Sequence, residues 1–220
     1  MVCTGYIGCE AFDLILYICR TLTKLKYRVL IIDFSDSAAL LQSIKLGMGL
    51  DSLKEIINYR DINYTRRIPD KEELELFKDG AVFINYGNTY QHEYQLECES
   101  INIVVSIFPH MIQEINKYLK TKISQNETYK VLIRDMITPD DADRVLEALE
   151  LPEKADKIST LYLDMNDYES AVNCQISQTA RFTKISKQTK QYITGQILDM
   201  FPKLTKNRVK RAMTLARKGV

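Results

Sequence analysis

Thr4-Gly-Tyr-Ile-Gly-Cys-Glu-Ala-Phe-Asp13 leads through a helical stretch to Tyr27-Arg-Val-Leu-Ile-Ile-Asp33. Val2–Thr4 before it is short and apolar, a first strand. Gly5-Tyr-Ile-Gly8 reads as a tight loop, because two glycines permit backbone angles that other residues resist. From Ala11 to Leu25, Phe12, Ile15, Leu16, Cys19 and Leu22 share one face at helical spacing. The next stretch is continuously apolar and ends in a carboxylate. Strand, glycine loop, helix and strand open a βαβ unit. A strand that is apolar on both faces implies helices above and below it, hence a parallel sheet.

The same alternation continues outward. Ser37–Leu46 and Ser52–Asn58 read as helical pieces, and residues 60–79 as polar and mixed. Ala81–Asn85, Ile101–Ser106, Tyr129–Arg134 and Leu161–Leu163 read as strands. Helices are predicted over Gln91–Ser100, Pro109–Lys120, Pro139–Glu150 with Thr138 as its cap, Asp167–Gln178 and Lys187–Phe201. The expected fold is α/β, a doubly wound, mostly parallel sheet with helices on both faces. Residues 1–201 form the domain, and 202–220 a basic, helical C-terminal segment. Ligands on such sheets bind beyond the C-terminal strand ends. Here those ends are Gly5–Asp13, Asp33–Asp36, Asn85–Asn88, Phe108–His110 and Arg134–Asp135.

Composition excludes several classes. The chain has 220 residues, 45% hydrophobic and 27% charged, which suits one folded domain. No apolar run approaches the roughly 18 residues of a membrane span. Five scattered cysteines with no CxxC pair argue against a disulfide framework or a zinc site. No metal and no catalytic residue is assigned. Cys98 with His110 is conceivable as a nucleophile pair but lacks an orienting partner. His92 and His110 read as surface residues. Asp140, Asp141 and Asp143 read as a solvated helix start rather than a metal cluster. Tyr59, Tyr64, Tyr86, Tyr90 and Tyr94 stand in polar context, which suits ordinary half-buried packing or, where they are exposed, protein interfaces.

Order and spacing resemble the ParA/MinD family of P-loop ATPases, including its pilus-assembly branch typified by TadZ and CpaE. Thr4–Asp13 stands where that family has its deviant Walker A loop. Val29–Asp33 with Asp36 resembles its "VLLIDxD" strand, and Val82-Phe-Ile-Asn85 its Walker B strand. Ile103-Val-Val-Ser-Ile-Phe-Pro109 and Leu161-Tyr-Leu-Asp164 resemble its later strands. The resemblance implies a nucleotide face, dimerisation across it and helical partner surfaces. It also implies what is missing. Tyr6 stands at the signature lysine, Glu10 at the last glycine, Ala11 at the phosphate lysine and Phe12 at the magnesium threonine. No lysine or arginine occurs between Val2 and Cys19. Glu10 and Asp13 bring negative charge toward phosphates, and Asn85 replaces a metal-binding carboxylate. No cofactor is expected, although Gly5 and Gly8 leave room for weak ATP or ADP binding. Asp33 and Asp36 read as relics.

Charge supplies the positive signal. Residues 181–220 hold eleven Lys or Arg and one acid, in a chain of net charge +1. Lys203, Lys206, Arg208, Lys210, Arg211, Arg217 and Lys218 flank an apolar stripe of Leu204, Val209, Met213 and Ala216. That segment suits a solvated helix or one docked on the acidic body, an acidic protein partner or dimer contact, or weak contact with DNA phosphates or anionic membrane. The expectation is a cytoplasmic pseudo-ATPase, recruited to membrane-associated machinery, that acts as a scaffold in a bacterial pilus, secretion or partition system and pairs as a homodimer. The alternatives are an active nucleotide switch with an unconventional loop, or a nucleic-acid or membrane module acting through the basic end.

Overall fold

The computed structural model describes residues 1–44, 55–88, 98–122, 129–151, 155–179 and 182–218. Eight strands form one sheet: β1 (Val2–Gly8), β2 (Val29–Asp33), β3 (Ile57–Tyr59), β4 (Ile62–Thr65), β5 (Ala81–Gly87), β6 (Ser100–Ser106), β7 (Tyr129–Met136) and β8 (Ala155–Tyr162). Their order is β3-β4-β2-β5-β1-β6-β7-β8. Every pairing is parallel except β3 with β4. β1 lies between β5 and β6, where the chain switches from building one half of the sheet to the other. Such a switch opens a crevice at the C-terminal strand ends.

The helices are α1 (Phe12–Lys24), α2 (Ala39–Gln42), α3 (Lys71–Glu75), α4 (Pro109–Lys122), α5 (Asp140–Ala148), α6 (Met165–Ser177), α7 (Lys187–Met200) and α8 (Lys206–Arg217). Two cores follow from the strand pleat. Val29 and Ile31 face one layer, with α1, Ile193 of α7 and Val209 of α8. Leu30 and Ile32 face the other, with Ile112 and Ile115 of α4 and Val145 of α5. The doubly wound expectation holds.

Several local expectations give way. Ile57 and Asn58 lie in a strand, not a helix; β3 and β4 turn through Arg60 and Asp61, both at positive φ. The buried Arg20 donates to the Arg60 carbonyl at 2.6 Å and braces that turn. Residues 62–65 and 71–75, read only as polar, are β4 and α3. Thr138 does not cap α5. Pro139 takes the N-cap position, and the Asp141 carboxylate instead accepts from the Ile137 and Thr138 amides. The predicted helix over Gln91–Ser100 falls mostly outside the described residues, as do His92, Tyr90 and Tyr94. Tyr64 and Tyr86 are buried, so their polar sequence context does not place them at a surface.

The basic end is part of the domain. Thr205 caps α8 through its hydroxyl, and α8 packs on α1 and α7. Leu204, Val209, Ala212, Met213 and Ala216 all enter the first core. The apolar stripe therefore faces inward. No described helix is long and apolar enough to cross a membrane.

Candidate functional site

The loop read as a phosphate cradle is mostly strand. β1 runs on through Gly5, Tyr6 and Ile7 to Gly8 and pairs with both β5 and β6. Only Cys9, Glu10 and Ala11 link it to α1. Backbone groups that would wrap a phosphate lie instead in the sheet ladder. Gly5 is not a turn residue; it sits flat in β1 against the Tyr86 ring. Gly8 is the true turn, with φ +103°, and a Cβ there would fall 2.2 Å from the Val104 carbonyl oxygen. Tyr6 is buried in the first core, its ring 6.5 Å from that of Phe83. Burial holds its phenol well above the usual range.

The other loop residues are tied down. Ala11 is buried and forms the N-cap of α1 without a side-chain bond. Glu10 accepts a hydrogen bond from the Ser37 hydroxyl. Asp13, in the first turn of α1, meets Arg134 from β7. The guanidinium reaches the two carboxylate oxygens at 3.0 and 3.2 Å and donates to the Glu10 carbonyl at 2.7 Å. A bidentate fork of this kind is strong and geometrically specific. Burial pulls the Arg134 guanidinium down, but Asp13 and Asp135 outweigh it and hold it above its ordinary value. An internal ion pair thus stands at the helix end where a phosphate and its lysine would meet.

Asp33 and Asn85 form a second closed arrangement. Register places Tyr6, Asn85 and Asp33 side by side across β1, β5 and β2. The Asp33 carboxylate accepts from the Ser35 hydroxyl at 2.6 Å, the Leu40 amide at 3.1 Å and Asn85 Nδ2 at 3.1 Å. Burial pushes its carboxyl up, against the pull of those donors. Asp33 is fully buried and ties β5 to the start of α2. Asp36 is exposed. Cys9 is half-buried against Met111, and burial raises its thiol. Cys98 lies beside Cys3, with the sulfurs 3.5 Å apart, so the proposed pairing of Cys98 with His110 does not form.

What is open at this end of the sheet is a groove of about 610 Å³. It runs from the start of α1, past the ends of β6, β7 and β8, to α6. Phe12, Phe108, Ile137, Leu163, Tyr168 and Ile176 supply apolar walls. Among the described residues, Glu10, Asp13, Asp135, Asp164 and Asp167 are its acids and Arg134 its one cation. The sequence reading pointed to Phe12, Glu10 and the Arg134–Asp135 strand end. It missed Arg134 as the partner of Asp13, and it read the helix that is α6 without placing it beside the groove. The signal in α6 was Met165, Tyr168, Val172 and Ile176 at helical spacing.

Solved structures with this architecture span nearly the whole chain. MinD from Aquifex aeolicus is 14% identical, with a TM-score of 0.59, over 97% of each chain. A plasmid partition protein from Borrelia burgdorferi B31, bound to AMPPNP, is 15% identical, with a TM-score of 0.59, over 92% of this chain and 99% of that one. A ParA family ATPase from Chlorobium tepidum TLS is 12% identical, with a TM-score of 0.54, over 98% and 97%. The chain has the ParA/MinD fold. No protein-family model matches the sequence, and no curated protein matches it either. At these identities the likeness carries the architecture and not the chemistry. The groove lies at the C-terminal strand ends, and the Asp13–Arg134 pair lines it.

Proposed function

We propose that this chain is a nucleotide-independent positioning or assembly scaffold on the ParA/MinD fold, serving a bacterial pilus, secretion or partition apparatus. The observation that carries the reading is the extension of β1 through Gly8. It draws the phosphate-loop backbone into the sheet and leaves a three-residue link. A triphosphate brought to the start of α1 would meet Asp13 and Glu10, a repulsive arrangement. Arg134, the cation lining the groove, is already paired with Asp13. The resemblance implies a homodimer across this face; here that face is acidic, which favours unlike protein partners over self-association.

Isothermal titration of the purified chain with ATP and magnesium checks this. The expected outcome is no heat of binding at tens of micromolar protein and no phosphate release above buffer. Micromolar affinity or turnover would sink the scaffold reading and restore the switch ATPase.

One observation favours a second use, for the basic end. Lys203, Lys206, Arg208, Lys210, Arg211 and Lys218 are exposed, and none forms a salt bridge to a described residue. Arg217 is half-buried and donates to the Thr183 carbonyl. The exposed cations suit an acidic protein or nucleic-acid phosphates. Membrane insertion is disfavoured, because α8 would first have to leave the core. Duplex DNA binding that falls steeply with salt, and is lost in Lys206→Glu/Lys210→Glu, would assign this surface to nucleic acid.

A further inference from the structure

The groove and α6 carry more apolar surface than a finished domain leaves in water. Met165, Tyr168 and Ile176 are 72%, 63% and 77% exposed, and Val172 is partly exposed between them. Their spacing is three, four and four residues, so they form one stripe along about 16 Å of helix. Phe108 and Ile137 continue it across the groove. A stripe of this period on an exposed helix is the surface onto which a second helix packs.

Charge selects the occupant. Five carboxylates and one guanidinium line the groove. α6 itself contains Asp167 and Glu169 and no lysine or arginine. A second copy pairing α6 against α6 would bring acids against acids, which opposes association. A second copy's α8 has the right charge, but its apolar stripe lies in its own core. We infer that the groove receives an amphipathic helix of a different protein, apolar along one stripe and flanked by lysine or arginine. The inference rests on the scaffold reading and names the class of partner for the groove beside the Asp13–Arg134 pair. The partner's apolar residues fill the space between α6 and the ends of β7 and β8, and its cations meet the acidic rim.

The test uses the full chain and three fluorescein-labelled synthetic 18-residue helices. One has leucines at i, i+3, i+4 and i+7 spacing with lysines between them. The second replaces lysine with glutamate. The third keeps the lysines but scrambles the leucines. Fluorescence anisotropy at physiological salt should show micromolar binding of the first and at least tenfold weaker binding of the others. Tyr168→Ser/Ile176→Ser, both exposed positions, should weaken the first at least tenfold while circular dichroism stays that of the parent. Equal binding of the glutamate or scrambled helix, or an unchanged affinity in the double variant, overturns the proposal. So does a dimer in sedimentation that Tyr168→Ser/Ile176→Ser dissociates, because a second copy then covers α6. The scaffold reading fails by a different result, ATP binding, which these arms do not measure.

Discussion

Arg134 and Asp13 lie more than a hundred positions apart in the chain, which is why no local pattern announces their pairing. The sequence shows an acid in the first turn of α1, unfavourable to phosphate. It does not show that the acid has been given a cation of its own. Asp33 is the converse case. Its strand-end position is legible in the sequence. Its bonds to Ser35, Leu40 and Asn85 make it a structural tie. The buried pair makes a prediction at this scale. Asp13 is 4% exposed at its side chain and Arg134 19%. Arg134→Ala leaves a buried carboxylate without its partner and should cost about 3 kcal/mol. Asp13→Leu/Arg134→Leu removes both charges and should recover most of that loss, within about 1 kcal/mol of the parent. Urea denaturation at pH 7 measures both. A double variant as unstable as the single would mean that Arg134 does something other than neutralise Asp13.

Elements were read best where periodicity was strong and worst where it was short. The continuous apolar strands and the α1 face are visible directly in the sequence. β3 and β4 are three and four residues long, too short for alternation to register. Their turn uses Arg60 and Asp61 instead of the Asn-Gly pair that usually marks it. α3 was legible and overlooked: Asp70-Lys-Glu-Glu73 has capping-box spacing. The structure forms that box, and Arg67 Nη1 adds a bond of 2.6 Å to Glu73. The Arg67 bond, helped by the Asp70 amide, holds the Glu73 carboxyl at about 2, against an ordinary 4.5. A carboxylate whose folded value is depressed stabilises the fold above its unfolded value and loses that contribution as pH falls toward the folded one. Glu73→Gln should therefore cost about 0.5–1 kcal/mol at pH 6, a small figure because the pair is solvent-screened. The difference from the parent should shrink as pH falls below 4.5 and be nearly gone only once pH has passed the folded value of about 2, as read by urea titrations. A constant difference across that range would leave helix capping alone, without the ion pair, as the cause.

At the scale of the molecule, alternation of strands and helices was sufficient to read the sheet, because a doubly wound sheet is a consequence of connectivity. Which helix covers which surface was not, because two helices with similar stripes are interchangeable until they are packed. α6 and α8 show this. Both carry apolar residues at helical spacing. The basic α8 could be read either as docked on the body or as open to partners, and its apolar stripe is docked. Pro202 thus marks a bend inside the domain and not a boundary between independent parts. Leu204, Val209 and Met213 are each at most 7% exposed. Each contributes on the order of 1.5–3 kcal/mol by leaving water. Ending the chain at Pro202 would remove them and bare the α1 face that they cover. A loss of about 5 kcal/mol is comparable with the whole stability of an ordinary domain, about 5–15 kcal/mol. The shortened chain should melt at least about 10 °C lower, or show no cooperative transition by far-ultraviolet circular dichroism. Lys206→Glu/Lys210→Glu alters the same helix only on its exposed side and should stay within about 0.5 kcal/mol of the parent. The pair of measurements separates the two roles of α8. If the shortened chain melts like the parent, the basic end is an appendage; if it collapses while the charge variant does not, α8 holds the domain together with one face and offers its cations with the other.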